Sequence, residues 1–188
     1  MRNVPVPREQ AARSTSTLCY ANIGNYPGPL KDAGLYFAQT IIWHKQWPVL
    51  TRKDFMGDHE WCFYGWKEDA AHVFVGPNNI GDVWSIRKVT PQSMIHLTEK
   101  PVELAVRAIQ YSSRVGEHVL DLFGGSGSTM IAAEQTERRA FLMELDPLYC
   151  DVIVQRWCKF TERKAERVSA DGRNSPAEEE APVVAEAS

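Results

Sequence analysis

The sequence lacks the features that mark several large classes of protein. Its 188 residues include no apolar run near the roughly eighteen residues needed to cross a bilayer, and no signal peptide follows Met1. Its four cysteines form no CxxC pair and no zinc-type spacing, and there are no internal repeats. We therefore expect a cytoplasmic globular protein with reduced thiols, no bound metal and no membrane partner.

Excess charge of one sign is also absent from most of the chain. Residues 162–188 hold seven acidic and four basic residues, which leaves 17 acids and 17 bases in residues 1–161. A balanced body can still present a local basic face. Charge therefore neither supports nor excludes a nucleic-acid partner.

Apolar periodicity is missing at both ends of the chain. Residues 1–17 are polar and contain two prolines and a Ser/Thr cluster, which predicts a disordered arm. Residues 166–188 are rich in Pro, Ala and Glu and predict a disordered acidic tail. Residues 18–165 are therefore expected to form one folded domain of ordinary size.

The rest of the chain is organised around residues 117–147. A short apolar run there indicates a buried strand that ends on Asp121 and is followed by a turn with three glycines. Residues 129–136 predict a helix, and residues 140–144 predict a second strand that ends on Glu144. This layout is typical of a nucleotide-type cofactor site, in which the final acid hydrogen-bonds ribose hydroxyls. An ordinary βα turn does not require all of these features together.

The glycine turn lacks what two common phosphate-binding loops require. No lysine followed by Ser or Thr closes it, as a P-loop would need. Met130 stands where a dinucleotide fingerprint has its third glycine, and the leading Asp121 would repel a pyrophosphate. An acid here suits a cationic or zwitterionic ligand. S-adenosylmethionine, with its sulfonium, amino group and ribose, is such a ligand.

Elsewhere the chain alternates predicted strands and helices, which favours an α/β fold with a layered sheet. Pro101 is expected to open a helix that runs to about Ser112, and Asp146 and Pro147 are expected to be the cap and first residue of a final helix. Upstream, the pattern predicts a helix over 28–34, strands over 39–43, 61–66 and 83–86, a short β stretch over 72–75 and an irregular segment over 44–60.

Three consecutive segments resemble motifs of DNA amino methyltransferases. They are HLTEKPVELAVRAI (96–109), VLDLFGGSGSTMIAAE (119–134) and FLMELDPLYCDVIVQRW (141–157). Their order resembles that of the circularly permuted β-class and of related phage or restriction–modification enzymes. The resemblance covers roughly residues 28–160. It implies a Rossmann-like, S-adenosylmethionine-dependent methyltransferase fold that methylates adenine N6 or cytosine N4 in double-stranded DNA.

The resemblance also implies a cofactor site. The lysine–proline motif would border the methionine end of the cofactor, the turn after Asp121 would hold its amino acid portion, and Glu144 would bind its ribose. Asp146 is expected equally as an adenine contact or as a helix cap. The implied set is Thr98, Glu99, Lys100, Pro101, Asp121, Phe123, Gly124, Gly125, Ser126, Gly127, Ser128, Thr129, Glu144 and Asp146.

Aromatic residues upstream of these motifs leave two interpretations open. Most are expected to pack in the core, although extruded bases also stack on such rings. The set is Trp43, Trp61, Tyr64, Trp66 and Trp84. A neighbouring loop with Trp47, Arg52, Lys53 and His59 would either contact DNA phosphates or be solvated.

One motif of the family is absent. Its members carry a tetrapeptide of the Asp-Pro-Pro-Tyr type, which holds the target amino group and stacks on the base. The nearest match here is Tyr26-Pro27-Gly28-Pro29, which lacks the acid and the paired prolines. We therefore expect an incomplete fold, the carboxyl-terminal part of a methyltransferase from a truncated or split gene or a divergent relative, with no catalytic residue assigned. A second chain would then supply the missing part.

Two further hypotheses compete with an active DNA methyltransferase. The chain could be a non-catalytic, S-adenosylmethionine-binding or assembly fragment that needs a partner chain. The methyl acceptor could also be RNA or protein, because the cofactor motifs report the donor and not the acceptor.

Overall fold

The computed structural model describes residues 13–18, 27–50, 54–70, 72, 74–90 and 99–168. Tyr26, Arg52, Lys53 and Thr98, which the sequence singled out, lie outside the described residues. The elements are β1 (Arg13–Leu18), α1 (Pro27–Asp32), β2 (Leu35–Val49), β3 (Gly57–Lys67), β4 (Val83–Ser85), α2 (Val102–Ser112), β5 (His118–Asp121), α3 (Ser128–Gln135), β6 (Arg139–Leu142) and α4 (Pro147–Thr161).

A four-stranded sheet with the order β1-β3-β2-β4 forms the first half of the molecule. The long strands β2 and β3 form an antiparallel hairpin whose register runs from the pair Leu35 and Lys67 to the pair Val49 and Gly57. β4 is parallel to β2, with Ile42 opposite Val83. The pairing of β2 with β3 has two register shifts, between Phe37 and Gln39 and between His44 and Val49. The second shift includes Pro48, which has no N–H group to donate to β3.

Two expectations about this half are wrong. Residues 44–60 are not one irregular segment, because β2 extends to Val49 and β3 already begins at Gly57. Hydrogen bonds between the two strands extend both of them beyond the residues whose apolar alternation predicts a strand. The 72–75 stretch forms no strand at its described positions.

The amino-terminal arm is also not wholly unstructured. Arg13–Leu18 forms β1 and pairs antiparallel with β3, with Arg13 opposite Trp66 and Leu18 opposite Trp61. The expectation of disorder through residue 17 is therefore wrong for these positions. The edge of β3 offers backbone hydrogen bonds that a polar, threonine-containing segment can use without an apolar pattern of its own.

The second half is a parallel βαβ unit. β5 and β6 pair in parallel, with His118 opposite Arg139 and Asp121 opposite Leu142, and α3 connects them. The second strand was expected to reach Glu144 but ends at Leu142. Chain direction places Asp121, the glycine turn and Glu144 at the same edge of this sheet, beyond the carboxyl ends of its strands.

Helix α2 connects the two halves through its packing. Leu104 belongs to the core cluster of the first sheet, with Trp43 and Trp84. Ile109 packs with Ala132 and Ala133 of α3 in a second cluster. The apolar face of α2 that packs in this second cluster consists of Val102, Ala105, Val106 and Ile109. Core packing is confirmed for Trp43, Tyr64 and Trp84.

The two sheets are separate, whereas the sequence favoured one layered sheet. The βαβ unit also has a bare face, on which Leu120 is 66% exposed and Phe141 is 54% exposed. Parallel sheets are normally covered on both faces, whereas the described residues cover this one only on the face that packs against α2 and α3. Within the described part of the chain, no helix is both long and apolar enough to cross a membrane.

Candidate cofactor-binding site

The glycine turn is a tight, internally hydrogen-bonded loop between β5 and α3. Gly124 N donates to Met143 O at 2.8 Å, which fixes the loop to the residue after β6. Gly127 N donates to Gly124 O at 2.8 Å and closes the turn. Gly125 and Gly127 have φ values of +53° and +79°, a conformation that favours glycine.

Two of these glycines also allow α4 to approach the loop. A Cβ atom on Gly124 would lie 2.9 Å from Ile153 Cδ1, and one on Gly127 would lie 3.2 Å from two side-chain atoms of Ile153. At Gly125, in contrast, the nearest neighbour of such an atom is Phe123 O, at an ordinary contact distance of 3.8 Å. Gly124 and Gly127 therefore serve helix packing, whereas a side-chain atom at Gly125 would not contact α4.

Asp121 organises the start of the loop. Its Oδ1 accepts a hydrogen bond from Phe123 N at 3.0 Å, and its Oδ2 accepts one from Thr129 Oγ1 at 2.6 Å. One carboxylate thus ties the end of β5 to the first turn of α3. The N-cap of α3 is Gly127, which has no side chain to cap the helix, so the positive end of the helix dipole lies beside this carboxylate.

Glu144 lies against the same loop from the side of β6. Its Oε2 accepts from Gly125 N at 2.7 Å, and its Oε1 accepts from Leu145 N at 2.9 Å and Asp146 N at 3.1 Å. These contacts fix the orientation of the carboxylate next to the glycine turn. The structure therefore brings together Asp121, Gly125 and Glu144, as the sequence predicted.

Asp146 caps the final helix. Its Oδ1 accepts from Leu148 N at 2.9 Å, and Pro147 occupies the first turn of α4. The predicted cap is thus confirmed, and an additional contact with a ligand stays a prediction. The capped segment also exposes apolar surface beside the loop, since Leu145 is 97% exposed and Phe123 is 86% exposed.

Arg156 is a residue of this site that the sequence analysis missed. Its Nη1 donates to Glu99 Oε1 at 2.8 Å, to Ser126 O at 3.0 Å and to Ser126 Oγ at 3.2 Å. One guanidinium on α4 therefore joins the lysine–proline motif to the glycine turn. The side chain of Ser126, predicted to bind cofactor, is directed to Arg156 and is buried.

The rest of the lysine–proline motif contacts the β2–β3 hairpin. Lys100 Nζ lies 3.3 Å from Glu60 Oε2 and 5.8 Å from the centre of the Trp43 ring. Lys45 Nζ lies 3.2 Å from the other oxygen of the same glutamate. Pro101 is the N-cap of α2 rather than its first helical residue, because its ψ of 136° is extended.

The tip of this hairpin carries an acid between two histidines. Asp58 Oδ1 lies 2.9 Å from His59 Nδ1, and its Oδ2 lies 3.9 Å from His44 Nε2. The hydrogen bond with His59 lowers the pKa of Asp58 below its ordinary value of 3.8. Among the described residues, no group of His, Cys, Asp or Glu side chains could hold a metal ion.

These observations indicate the general class of protein, one with a Rossmann-like cofactor-binding fold. A parallel βαβ unit with a glycine turn, a leading acid and a second acid against the turn is the half of a Rossmann-like fold that binds a nucleotide-type cofactor. Residues 29–155 match the sequence model of the DNA methylase family, the N6- and N4-methyltransferases. The chain belongs to this family.

Individual relatives agree with this assignment. Type II methyltransferase M.Cfr9I from Citrobacter freundii is 29% identical over 139 residues, and the match covers 68% of this chain and 46% of that protein. M2.DpnII from Streptococcus pneumoniae is 29% identical over 150 residues, covering 72% of this chain and 56% of the relative. The chain thus spans about half the length of the curated relatives it matches.

Solved structures support the same fold. The M1.HpyAVI–SAM complex superposes with a TM-score of 0.65 at 25% identity and covers 77% of this chain and 74% of that protein. The PvuII DNA methyltransferase, described as cytosine-N4-specific, superposes with a TM-score of 0.65 at 16% identity and covers 81% of this chain. The second likeness shows the fold alone.

Proposed function

We propose that this chain binds S-adenosylmethionine at the glycine turn and serves methyl transfer to the exocyclic amino group of adenine (N6) or cytosine (N4) in double-stranded DNA. Membership of the DNA methylase family supports the reaction class. The observation that best supports S-adenosylmethionine as the cofactor is the 2.7 Å hydrogen bond between Gly125 N and Glu144. This contact sets an acid beside a turn that leaves space for a ligand.

The chemistry of the residues fits this cofactor. Asp121 and Glu144 flank the turn, and two carboxylates suit a ligand with an amino group, a sulfonium and two ribose hydroxyls. Phe123 and Leu145 expose apolar surface that an adenine ring can cover. When bound, S-adenosylmethionine supplies an electrophilic methyl group.

The chain's own residues would then hold and orient this group. Glu144 would accept hydrogen bonds from ribose hydroxyls, and Asp121 would act at the methionine end with the N–H groups of the α3 terminus. Arg156 would keep Glu99 and the Ser126 peptide in place. The proposed cofactor-binding set remains Thr98, Glu99, Lys100, Pro101, Asp121, Phe123, Gly124, Gly125, Ser126, Gly127, Ser128, Thr129, Glu144 and Asp146.

Calorimetric titration with S-adenosylmethionine tests the cofactor part of the proposal. Glu144→Ala should weaken binding by about 10- to 100-fold, the loss typical of hydrogen bonds to a charged group. Glu166→Ala, which removes an exposed glutamate far along the chain from the turn, should leave the affinity unchanged. No binding by the wild-type chain, or equal affinity of the two variants, would contradict the proposal.

We further propose that the residues that accept the target base come from a polypeptide segment outside these 188 residues, a second chain being the direct candidate. The sequence contains no Asp-Pro-Pro-Tyr-type tetrapeptide. Two observations support an additional segment: the two sheets are not joined to each other, and Leu120 is 66% exposed beside the open edge of β5. A strand inserted there would acquire backbone partners and cover apolar surface.

A methyl-transfer assay with radiolabelled S-adenosylmethionine tests this second part. The isolated chain should bind the cofactor yet give no turnover on unmethylated double-stranded DNA. Parallel reactions with RNA and with protein distinguish the acceptor classes if any label is transferred. Robust turnover by the isolated chain on DNA would show that it carries its own catalytic residues and would overturn this part, while leaving the cofactor proposal intact.

A further inference from the structure

A cavity of about 360 Å³ lies at the far end of α2 from the glycine turn. It is lined by residues of β2, β3 and the end of α2, by Trp84 of β4, by His72 and by residues between 74 and 82. We propose that this cavity is a second ligand site, which takes a neutral planar heteroaromatic ring of the nucleobase type, as in a free nucleoside. The inference is independent of the proposed cofactor function.

Aromatic side chains line the cavity from two directions. On the sheet side, the Tyr64 and Trp66 rings lie 5.8 Å apart, and His72 stacks on Trp66 at 3.8 Å. On the helix side, Tyr111 contacts both Trp84, at 6.0 Å, and Phe74. Ring faces offer stacking surface to any nucleobase, and each stacked base typically contributes about 1–3 kcal/mol.

The Tyr64 hydroxyl indicates that the ligand is polar, because a purely apolar ligand would leave this hydroxyl without a hydrogen bond. Tyr64 is only 8% exposed and lines the cavity, yet its hydroxyl oxygen has no hydrogen-bond partner among the described residues. A buried hydroxyl without a partner is unfavourable by about 1–3 kcal/mol. A ligand with a ring carbonyl, ring nitrogen or exocyclic amino group would remove that cost.

Further polar residues narrow the class of ligand. Gln39, Asn78, Asp82 and Ser112 also line the cavity, and together they offer both donors and acceptors. No lysine or arginine is among the described lining residues, so a phosphate group would find no counter-charge there. A nucleobase or nucleoside therefore fits better than a nucleotide. The volume lies at the small end of the range for ligand sites.

Position separates this cavity from the cofactor site. The amino end of α2 holds Lys100 and Glu99, which contact the hairpin and Arg156, whereas Ala108 and Ser112 near its carboxyl end line the cavity. An eleven-residue helix is about 16 Å long. Among the described residues, none of the glycine turn or of the lysine–proline motif lines the cavity.

Titration of the full chain with dideoxycytidine and with dideoxyuridine, followed by ligand-observed NMR, tests the proposal. Neither nucleoside has the adenine ring or the ribose hydroxyls that the proposed cofactor site would bind. Binding in the high-micromolar to millimolar range is expected for such small ligands. Tyr64→Phe keeps the ring and should weaken binding by about three- to tenfold. Trp66→Leu removes the ring on which His72 stacks and should weaken binding by a similar factor.

Matched variants outside the cavity serve as controls. Tyr36→Phe and Trp47→Leu make the same chemical changes at exposed positions of β2 and should leave nucleoside binding unchanged. Glu144→Ala should also leave it unchanged, which distinguishes this cavity from the cofactor site. Near-ultraviolet circular dichroism checks that each variant is folded. The proposal is overturned if neither nucleoside binds, if Tyr64→Phe matches Tyr36→Phe, or if Glu144→Ala abolishes binding.

Discussion

Arg156 and Glu99 connect the two motifs of the candidate site through one buried ion pair. The Glu99 side chain is 4% exposed and that of Arg156 is 21% exposed, and the two atoms in contact are 2.8 Å apart. The same guanidinium nitrogen also bonds two oxygen atoms of Ser126. Removing one member of a buried ion pair is strongly destabilising, so the contribution of each residue to stability depends on the presence of the other.

A double-mutant cycle measures this dependence. Arg156→Gln should lower the free energy of unfolding by about 2–4 kcal/mol, because it removes the cation that lies 2.8 Å from the buried Glu99 carboxylate. Glu99→Gln should be milder, and the double variant should be clearly more stable than the sum of the single losses predicts. Urea unfolding gives the stabilities, and calorimetry should show weakened S-adenosylmethionine binding by folded Arg156→Gln. Additive losses would contradict a direct coupling.

The sequence identified some of these residues and missed others for a physical reason. Asp146 was recognised as a candidate cap, and Asp121 and Glu144 as candidate ligands, because their roles follow from positions next to a turn or helix start. Arg156 is 57 residues from Glu99, and Glu60 is 40 residues from Lys100. Such partners are determined by tertiary packing, and no local sequence pattern predicts them.

At the scale of elements, the glycine turn and α4 form one packed unit. Gly124 and Gly127 both face Ile153, which is 7% exposed. The turn therefore has two kinds of glycine, since Gly125 faces open space instead. The sequence predicted glycines for close approach of a ligand, and the structure shows that α4 itself makes the closest approach to two of them.

Gly124→Ala tests this unit. The new Cβ would lie 2.9 Å from Ile153 Cδ1 and 3.3 Å from Met143 O, so the free energy of unfolding should fall by about 1–3 kcal/mol. Adding Ile153→Val removes the Cδ1 atom and should recover part of the loss, as measured by denaturant unfolding.

The control for this prediction is Gly81→Ala, in the segment before β4. No atom lies within 4 Å of a Cβ at that position and its φ is not positive, so the substitution should be neutral or slightly stabilising. A Gly124→Ala variant as stable as Gly81→Ala would show that α4 does not restrict the turn. Failure of Ile153→Val to recover stability would locate the strain elsewhere, for example at Met143 O.

At the scale of the whole molecule, the two halves are held together by α2 rather than by a continuous sheet. Its residues contribute to both core clusters, while the strands form two separate sheets. This arrangement leaves apolar side chains of β5 and β6 exposed on one face. An exposed apolar face next to an open strand edge favours association with another polypeptide.

We expect the isolated chain to self-associate through this face. Leu120→Lys combined with Phe141→Lys should shift the chain toward monomer in size-exclusion chromatography with light scattering, because two charges replace exposed apolar surface. Leu50→Lys, at a position 85% exposed and outside this face, should leave the association unchanged. A wild-type chain that is already a monodisperse monomer would contradict the expectation.

The sequence by itself determined the βαβ unit, its glycine turn and its family, because these depend on local periodicity and on residue types at fixed short spacings. It also predicted an incomplete fold, from the missing tetrapeptide. Only the tertiary structure decided the length of the β2–β3 hairpin, the pairing of β1, the division into two sheets and the ion pair between Glu99 and Arg156. Those features depend on contacts between residues far apart in the chain, for which a single sequence carries no local signal.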